Sequence, residues 1–205
     1  MPQSKSLKFR TMPASKNKSG VLIALHGWGA NGNDLVPLAP ELNLPDYELI
    51  FPEAPFDHPH VPGGKMWYDL QDSDRRGLAE SRQMLAEFLN SLPKTTGMPL
   101  SRTVLLGFSQ GGAMTLDVGL NLPLAGLVIL SGYLHPISTP PKFPIPPVLI
   151  LHGKQDAVVP LKAAQTARDT LISLGSKVKY FEYDMGHEIR PAAIAQVQQF
   201  VQGLK

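Results

Sequence analysis

The chain has 205 residues, 43% of them apolar and 18% charged, enough to bury a core and too apolar to be disordered throughout. Nineteen Lys and Arg against seventeen Asp and Glu leave a formal charge of +2, with no basic footprint for nucleic acid. The lack of cysteine excludes disulfides and thiolate chemistry and fits a cytoplasmic address.

The N-terminal stretch 1–19 is basic but has no apolar h-region, so it reads as a tail or a weak edge strand near Lys8–Met12 rather than a leader. No apolar run reaches the ~18 residues of a membrane-spanning helix, so no stable membrane insertion is expected. Val21–His26 is a short continuous apolar run, the pattern of a strand covered on both faces. Glu48–Phe51, Thr103–Gly107, Leu127–Leu130 and Val148–His152 repeat it, while Lys177–Tyr183 alternates and reads as a sheet-edge strand. Between these runs lie helix-period segments. Asp34 is placed to cap a helix through Leu42, and Gly77–Leu92 sets Leu78, Met84, Leu85, Phe88, Leu89 and Leu92 along one stripe. Gly111–Leu122 is small and apolar, Leu161–Leu174 ends before Gly175, and Pro191 opens a last helix through Val201. Strands alternating with helices predict one α/β domain over 1–205, its mostly parallel sheet covered by helices on both faces. Many of the twenty prolines sit in Pro52–Pro62 and Pro136–Pro147, which read as ordered loops, and residues 53–67 as a lid-like one.

Ligands of such sheets gather at the carboxyl ends of the strands. There Gly107-Phe108-Ser109-Gln110-Gly111 matches G-x-S-x-G, between a predicted strand and a predicted helix. A serine on that sharp turn projects above the sheet, with free N–H groups of the helix start beneath it. The plainer alternative is a helix-capping serine, which needs no glycine on either side. A serine nucleophile requires a base and a group that orients the base, in chain order Ser, acid, His. Asp156 follows one strand end and His187 follows the last, so both fall on loops at the same edge as Ser109. A turn aspartate and a solvent-facing histidine are the alternatives for those two. His26 and His152 each end a strand before glycine and are expected to hydrogen-bond behind the site; His135 carries no signal. The oxyanion donors expected are the backbone N–H groups of Gln110 and of Trp28 in Leu25-His26-Gly27-Trp28-Gly29. Met66, Trp67 and Tyr68, with Trp28, are expected to wall an apolar substrate pocket, core packing being the competitor for Trp67. Asp57-His58-Pro59-His60 lacks a third spaced ligand, so no metal is expected.

LHGWG, FPEAP, Trp67-Tyr68-Asp69, GFSQGG, LHGKQDAVVP and Gly186-His187 occur in the order of the phospholipase/carboxylesterase family of α/β-hydrolases, which the chain resembles from about Gly20 to its end. The resemblance implies Ser109 as nucleophile, Asp156 as orienting acid and His187 as base, with oxyanion donors at Trp28 and Gln110. It implies cleavage of carboxylic esters, and in some members thioesters, of small or acyl substrates with no cofactor or metal. Two departures favour the bacterial carboxylesterase side over acyl-protein thioesterases and lysophospholipases: His26-Gly27-Trp28-Gly29-Ala30 replaces an HG-Leu-Gly-Asp loop, and Glu188-Ile189 follows the histidine where a serine pair is common. A non-enzymatic ligand-binding protein on the same scaffold is the alternative of another class. Small hydrolases of this kind are sometimes homodimers, and no helix or edge in this sequence demands one.

Overall fold

The computed structural model describes residues 6–137, 140–141 and 143–204. The start of the basic tail and three positions of the second proline-rich run lie outside them.

Seven strands form one sheet in the order β1-β3-β2-β6-β7-β8-β9. They are β1 (Phe9–Met12), β2 (Gly20–Leu25), β3 (Tyr47–Pro52), β6 (Thr103–Phe108), β7 (Gly126–Leu130), β8 (Val148–Gly153) and β9 (Val178–Tyr183). Only β1 runs antiparallel, against β3; every other pairing is parallel. The four central strands are buried at nearly every position, which is why they read as unbroken apolar runs. Successive side chains nevertheless serve opposite faces. Val21, Ile23, Leu25, Leu105, Leu127, Ile129 and Ile150 pack under α2 (Leu78–Thr96), α3 (Gln110–Gly119) and α4 (Leu161–Ser173). Leu22, Ala24, Val104, Leu106, Val128, Leu149 and Leu151 face α1 (Leu38–Leu42) and α5 (Pro191–Gln202). Burying each such side chain favours folding by about 1.5–3 kcal/mol, so the central strands hold a stiff platform for the loops at their ends.

The edge strands differ as their sequences do: β1 is exposed along its length, and β9 alternates between half-buried and exposed residues at its start. Two helix boundaries depart from expectation. The segment from Asp34 forms turns, and α1 begins only at Leu38; the Asp34 carboxylate accepts the Asn31 N–H at 2.6 Å instead of capping a helix. Pro40 lacks the N–H that a helix begun at Asp34 would donate to the Val36 carbonyl. In contrast, α2 outruns its apolar stripe and passes Pro93 to reach Thr96. There Gly97, at φ +72°, closes the helix by donating its N–H to the Pro93 carbonyl. Within residues 53–67, β4 (Phe56–Asp57) and β5 (Lys65–Met66) form a two-residue antiparallel ladder. No helix among the described residues is long and apolar enough to cross a membrane.

Candidate active site

Three loops at the carboxyl edge of the sheet meet at Ser109. β6 ends at Phe108 and α3 begins at Gln110, leaving a single residue to reverse the chain, and Ser109 does so at φ +56°, ψ −119°. That region is costly for a residue with a Cβ, and it persists only where the surroundings over-determine it. Here they do. A Cβ on Gly107 would stand 2.1 Å from the Gly111 carbonyl oxygen, and one on Gly111 would stand 2.3 Å from that of Leu25. The glycines of the motif are therefore required by backbone packed on backbone. Ser109 makes no side-chain cap on α3. Its Oγ lies 2.9 Å from His187 Nε2.

Asp156 is buried in the turn after β8. Its Oδ1 accepts the N–H groups of Val158 at 2.9 Å and Val159 at 2.8 Å, and its Oδ2 lies 2.8 Å from His187 Nδ1. Burial alone pushes this carboxyl pKa up, but the hydrogen bond with His187 and the Val159 and Val158 N–H groups outweigh it, leaving the pKa below the usual carboxylate range. A carboxylate only accepts, so His187 carries its proton on Nδ1, and Nε2 is free to accept from the Ser109 hydroxyl. The loops bearing Asp156 and His187 are laced together: Lys154 N–H donates to the Tyr183 carbonyl at 2.8 Å and Gln155 N–H to that of Met185 at 3.1 Å. A Cβ on Gly153 would meet the Met185 and Gly186 carbonyl oxygens at 2.3 Å, so this approach too depends on glycine.

His26 and His152 stand behind the site. His152 Nε2 lies 2.8 Å from the Val159 carbonyl and 3.5 Å from Asp156 Oδ2, so it braces the turn that feeds Asp156. His26 Nδ1 donates to the Gly27 carbonyl at 2.8 Å, and its Nε2 accepts the Ala54 N–H at 3.0 Å. Burial lowers the His26 pKa, keeping the neutral ring that this donor–acceptor pattern needs.

Beside Ser109, the backbone N–H groups of Trp28 and Gln110 donate to no protein acceptor among the described residues. The loop carrying Trp28 is held by the Gly29 N–H on the Lys65 carbonyl at 2.9 Å and the Lys65 N–H on the Ala30 carbonyl at 2.7 Å. Side chains unforeseen in the sequence complete this support. The wholly buried Gln110 carboxamide accepts the Trp67 N–H at 2.9 Å and donates to the Tyr68 carbonyl at 2.7 Å. The Trp67 indole N–H donates to the His26 carbonyl at 3.0 Å.

The expected pocket walls divide. Trp28 and Met66 are partly exposed, and the Trp28 ring meets His58 edge-on at 4.1 Å. Trp67 and Tyr68 lie wholly inside the core at 0% exposure, because Gln110, together with the Ser81 hydroxyl on the Trp67 carbonyl, draws their backbone under the sheet edge. Trp67 is thus a packing and hydrogen-bonding residue rather than a wall. His58 Nδ1 accepts the N–H groups of His60 and Val61, and no group of three metal-ligating side chains occurs among the described residues.

Known proteins resemble this chain over most of its length. The family model described as Phospholipase/Carboxylesterase matches residues 8–205. Acyl-protein thioesterase 1 of Neurospora crassa is 30% identical over 208 residues, covering 86% of this chain and 83% of that protein. The protein of the same name from Yarrowia lipolytica is 30% identical, covering 79% of this chain and 80% of its own. Among solved structures, that of esterase PE8 superposes with a TM-score of 0.87 at 31% identity, covering 98% of this chain and 100% of the other. A carboxylesterase from Mesorhizobium loti shares the fold, with a TM-score of 0.83 at 23% identity over 96% of this chain and 95% of its own.

Proposed function

The chain belongs to the phospholipase/carboxylesterase family and is an ester hydrolase, and from that premise we propose that it works through an acyl-enzyme formed on Ser109. His187 Nε2 removes the hydroxyl proton as Oγ attacks the ester carbonyl, and Asp156 stabilises the imidazolium that results. The oxyanion of the tetrahedral intermediate is received by the Trp28 and Gln110 N–H groups. His187 then protonates the leaving alcohol, and on the second half of the cycle it draws a proton from the water that frees the acid. None of these steps calls for a metal or cofactor.

The observation that carries this reading is the continuous line from Asp156 Oδ2 through His187 to Ser109 Oγ, at 2.8 and 2.9 Å. Lys65 pairs with the Trp28 loop, which supports reading Met66 and Trp28 as one wall of the acyl site. Thioesters fall within the same chemistry, as the names of two relatives indicate, and matched oxygen and sulfur esters of one acid measure the preference. The reading is tested by Ser109→Ala, expected to lower kcat on a short-chain p-nitrophenyl ester by about 10⁴–10⁶ with the fold intact. A fluorophosphonate should add its mass to Ser109 in the native chain. Undiminished turnover in the variant ends the proposal.

A further inference from the structure

A second buried polar group packs along α3 away from Ser109, built from four separate segments. Asp117, on α3, accepts the Arg82 Nε–H of α2 at 2.9 Å on Oδ2, and His135 Nδ1 lies 2.7 Å from the same oxygen. His135 Nε2 is 3.0 Å from the Tyr68 hydroxyl, which in turn is 2.5 Å from the Tyr133 hydroxyl. His135 is 3% exposed and Tyr68 is wholly buried, whereas Tyr133 is only partly so.

The donors and acceptors along this chain have one consistent direction. Asp117 can only accept, so His135 carries its hydrogen on Nδ1, and Arg82 supplies the counter-charge on the same carboxylate oxygen. Nε2 then accepts, and the Tyr68 O–H is committed to it. Tyr133 must donate its own hydrogen to the Tyr68 oxygen. Burial raises the pKa of both phenols, so each keeps its proton. Every hydrogen points inward, and the outermost atom, the Tyr133 oxygen, presents lone pairs.

The backbone that carries Tyr133 lies beside Ser109. Tyr133 follows three residues after Leu130, whose carbonyl accepts the Ser109 N–H at 2.9 Å. A Cβ on Gly112 would stand 3.0 Å from Gly132 Cα, and the Tyr68 carbonyl is held by Gln110 at 2.7 Å. Both tyrosines are therefore anchored to the first turn of α3.

We propose that Tyr133 is a specificity-determining residue: its phenolic oxygen, oriented by Asp117, His135 and Tyr68, accepts a hydrogen bond from a substrate hydroxyl or amide N–H. The preferred esters then carry such a donor close to the scissile carbonyl. The proposal rests on the esterase reading above and deepens it.

The test compares esters that differ only in that donor: p-nitrophenyl β-hydroxybutyrate against β-methoxybutyrate on the acid side, and hydroxyethyl against methoxyethyl butyrate on the alcohol side. The enzyme should favour the hydroxyl member of at least one pair by about five- to tenfold in kcat/KM, the size of one neutral hydrogen bond. Tyr133→Phe should bring that ratio close to one. Tyr68→Phe removes the inward acceptor, frees the Tyr133 O–H to donate outward, and should move the ratio towards the methoxy ester. A purely structural role would slow both members alike and leave the ratio untouched, which overturns the proposal. Equal kcat/KM within both pairs for the unaltered enzyme overturns it too, with the esterase reading left standing. Turnover of no ester, with Ser109 unlabelled by a fluorophosphonate, overturns both.

Discussion

Asp156→Asn isolates the step on which the site depends. The two N–H groups of Val158 and Val159 converge on Oδ1, so in the variant the amide oxygen must occupy that position and the NH₂ must face His187. Nδ1 of the imidazole, now opposite a donor, has to accept. The ring proton moves to Nε2, and the nitrogen 2.9 Å from Ser109 Oγ can no longer take the hydroxyl proton. The volume and the hydrogen bonds of the turn are preserved, so the loss should fall on chemistry rather than on folding. A wrong tautomer costs a serine hydrolase about 10⁴ in kcat, or about 5 kcal/mol of barrier. Steady-state hydrolysis of p-nitrophenyl acetate at neutral pH measures it, with urea unfolding as the control for stability. Asp184→Asn is the companion variant. Its side chain is 79% exposed and pairs with Lys154 at 3.1 Å, an arrangement worth about 0–1 kcal/mol, so kcat should stay within about twofold. If Asp156→Asn keeps more than a tenth of the activity, or if Asp184→Asn causes the large loss, the assignment of the orienting acid is wrong.

Three further outcomes follow from the same contacts. Gln110→Ala leaves the Trp67 N–H and the Tyr68 carbonyl without partners, and should cost about 1–3 kcal/mol for each in urea unfolding while lowering kcat through a loosened oxyanion loop. Gly107→Ala forces a Cβ to 2.1 Å from a carbonyl oxygen, so it should destabilise by about 1–3 kcal/mol or more, read as a fall in Tm, and should also slow fluorophosphonate labelling of Ser109. His26 titrates below its ordinary value in the fold, so the stability it contributes is full above about pH 6.5 and declines as the pH falls towards its folded pKa. Unfolding free energy should therefore drop between pH 6.5 and 5.5 by up to about 1.4 kcal/mol per unit more than it does in His26→Gln; parallel slopes for the two proteins would rule this out.

What the sequence made legible is what repeats or what is sterically forced. Apolar runs marked the central strands because both faces of those strands are covered, and Ser109 and Asp156 after two such runs, with His187 after the alternating edge strand, placed all three on one edge. Glycine spacing marked the reversal at Ser109 because only glycine fits there. The rest was hidden for identifiable reasons. Asp34 has the chemistry of a helix cap, but its carboxylate is taken by the Asn31 N–H and the helix begins only after Pro37. Trp67 and Tyr68 look like pocket walls on a loop, yet a single glutamine 43 residues from one and 42 from the other pulls them inward. Tyr68, Asp117, Tyr133 and His135 come from one helix and two loops with no period linking them, so their hydrogen bonds exist only in three dimensions.

The same contrast explains how so few side chains suffice for the chemistry. Gly107 admits the Gly111 carbonyl, Gly111 admits those of Leu25 and His26, and Gly153 admits those of Met185 and Gly186. The first approach closes the turn that carries Ser109, the second joins that turn to the loop that carries Trp28, and the third joins the loops that carry Asp156 and His187. Backbone contacts of this kind have no rotamers to lose, so they place the loops more rigidly than side-chain packing across the same gaps would. Once the loops are locked, Ser109, His187 and Asp156 need only their hydrogen bonds to stay in line, and the proposed roles of Trp28 and Tyr133 fall on positions outside those backbone locks.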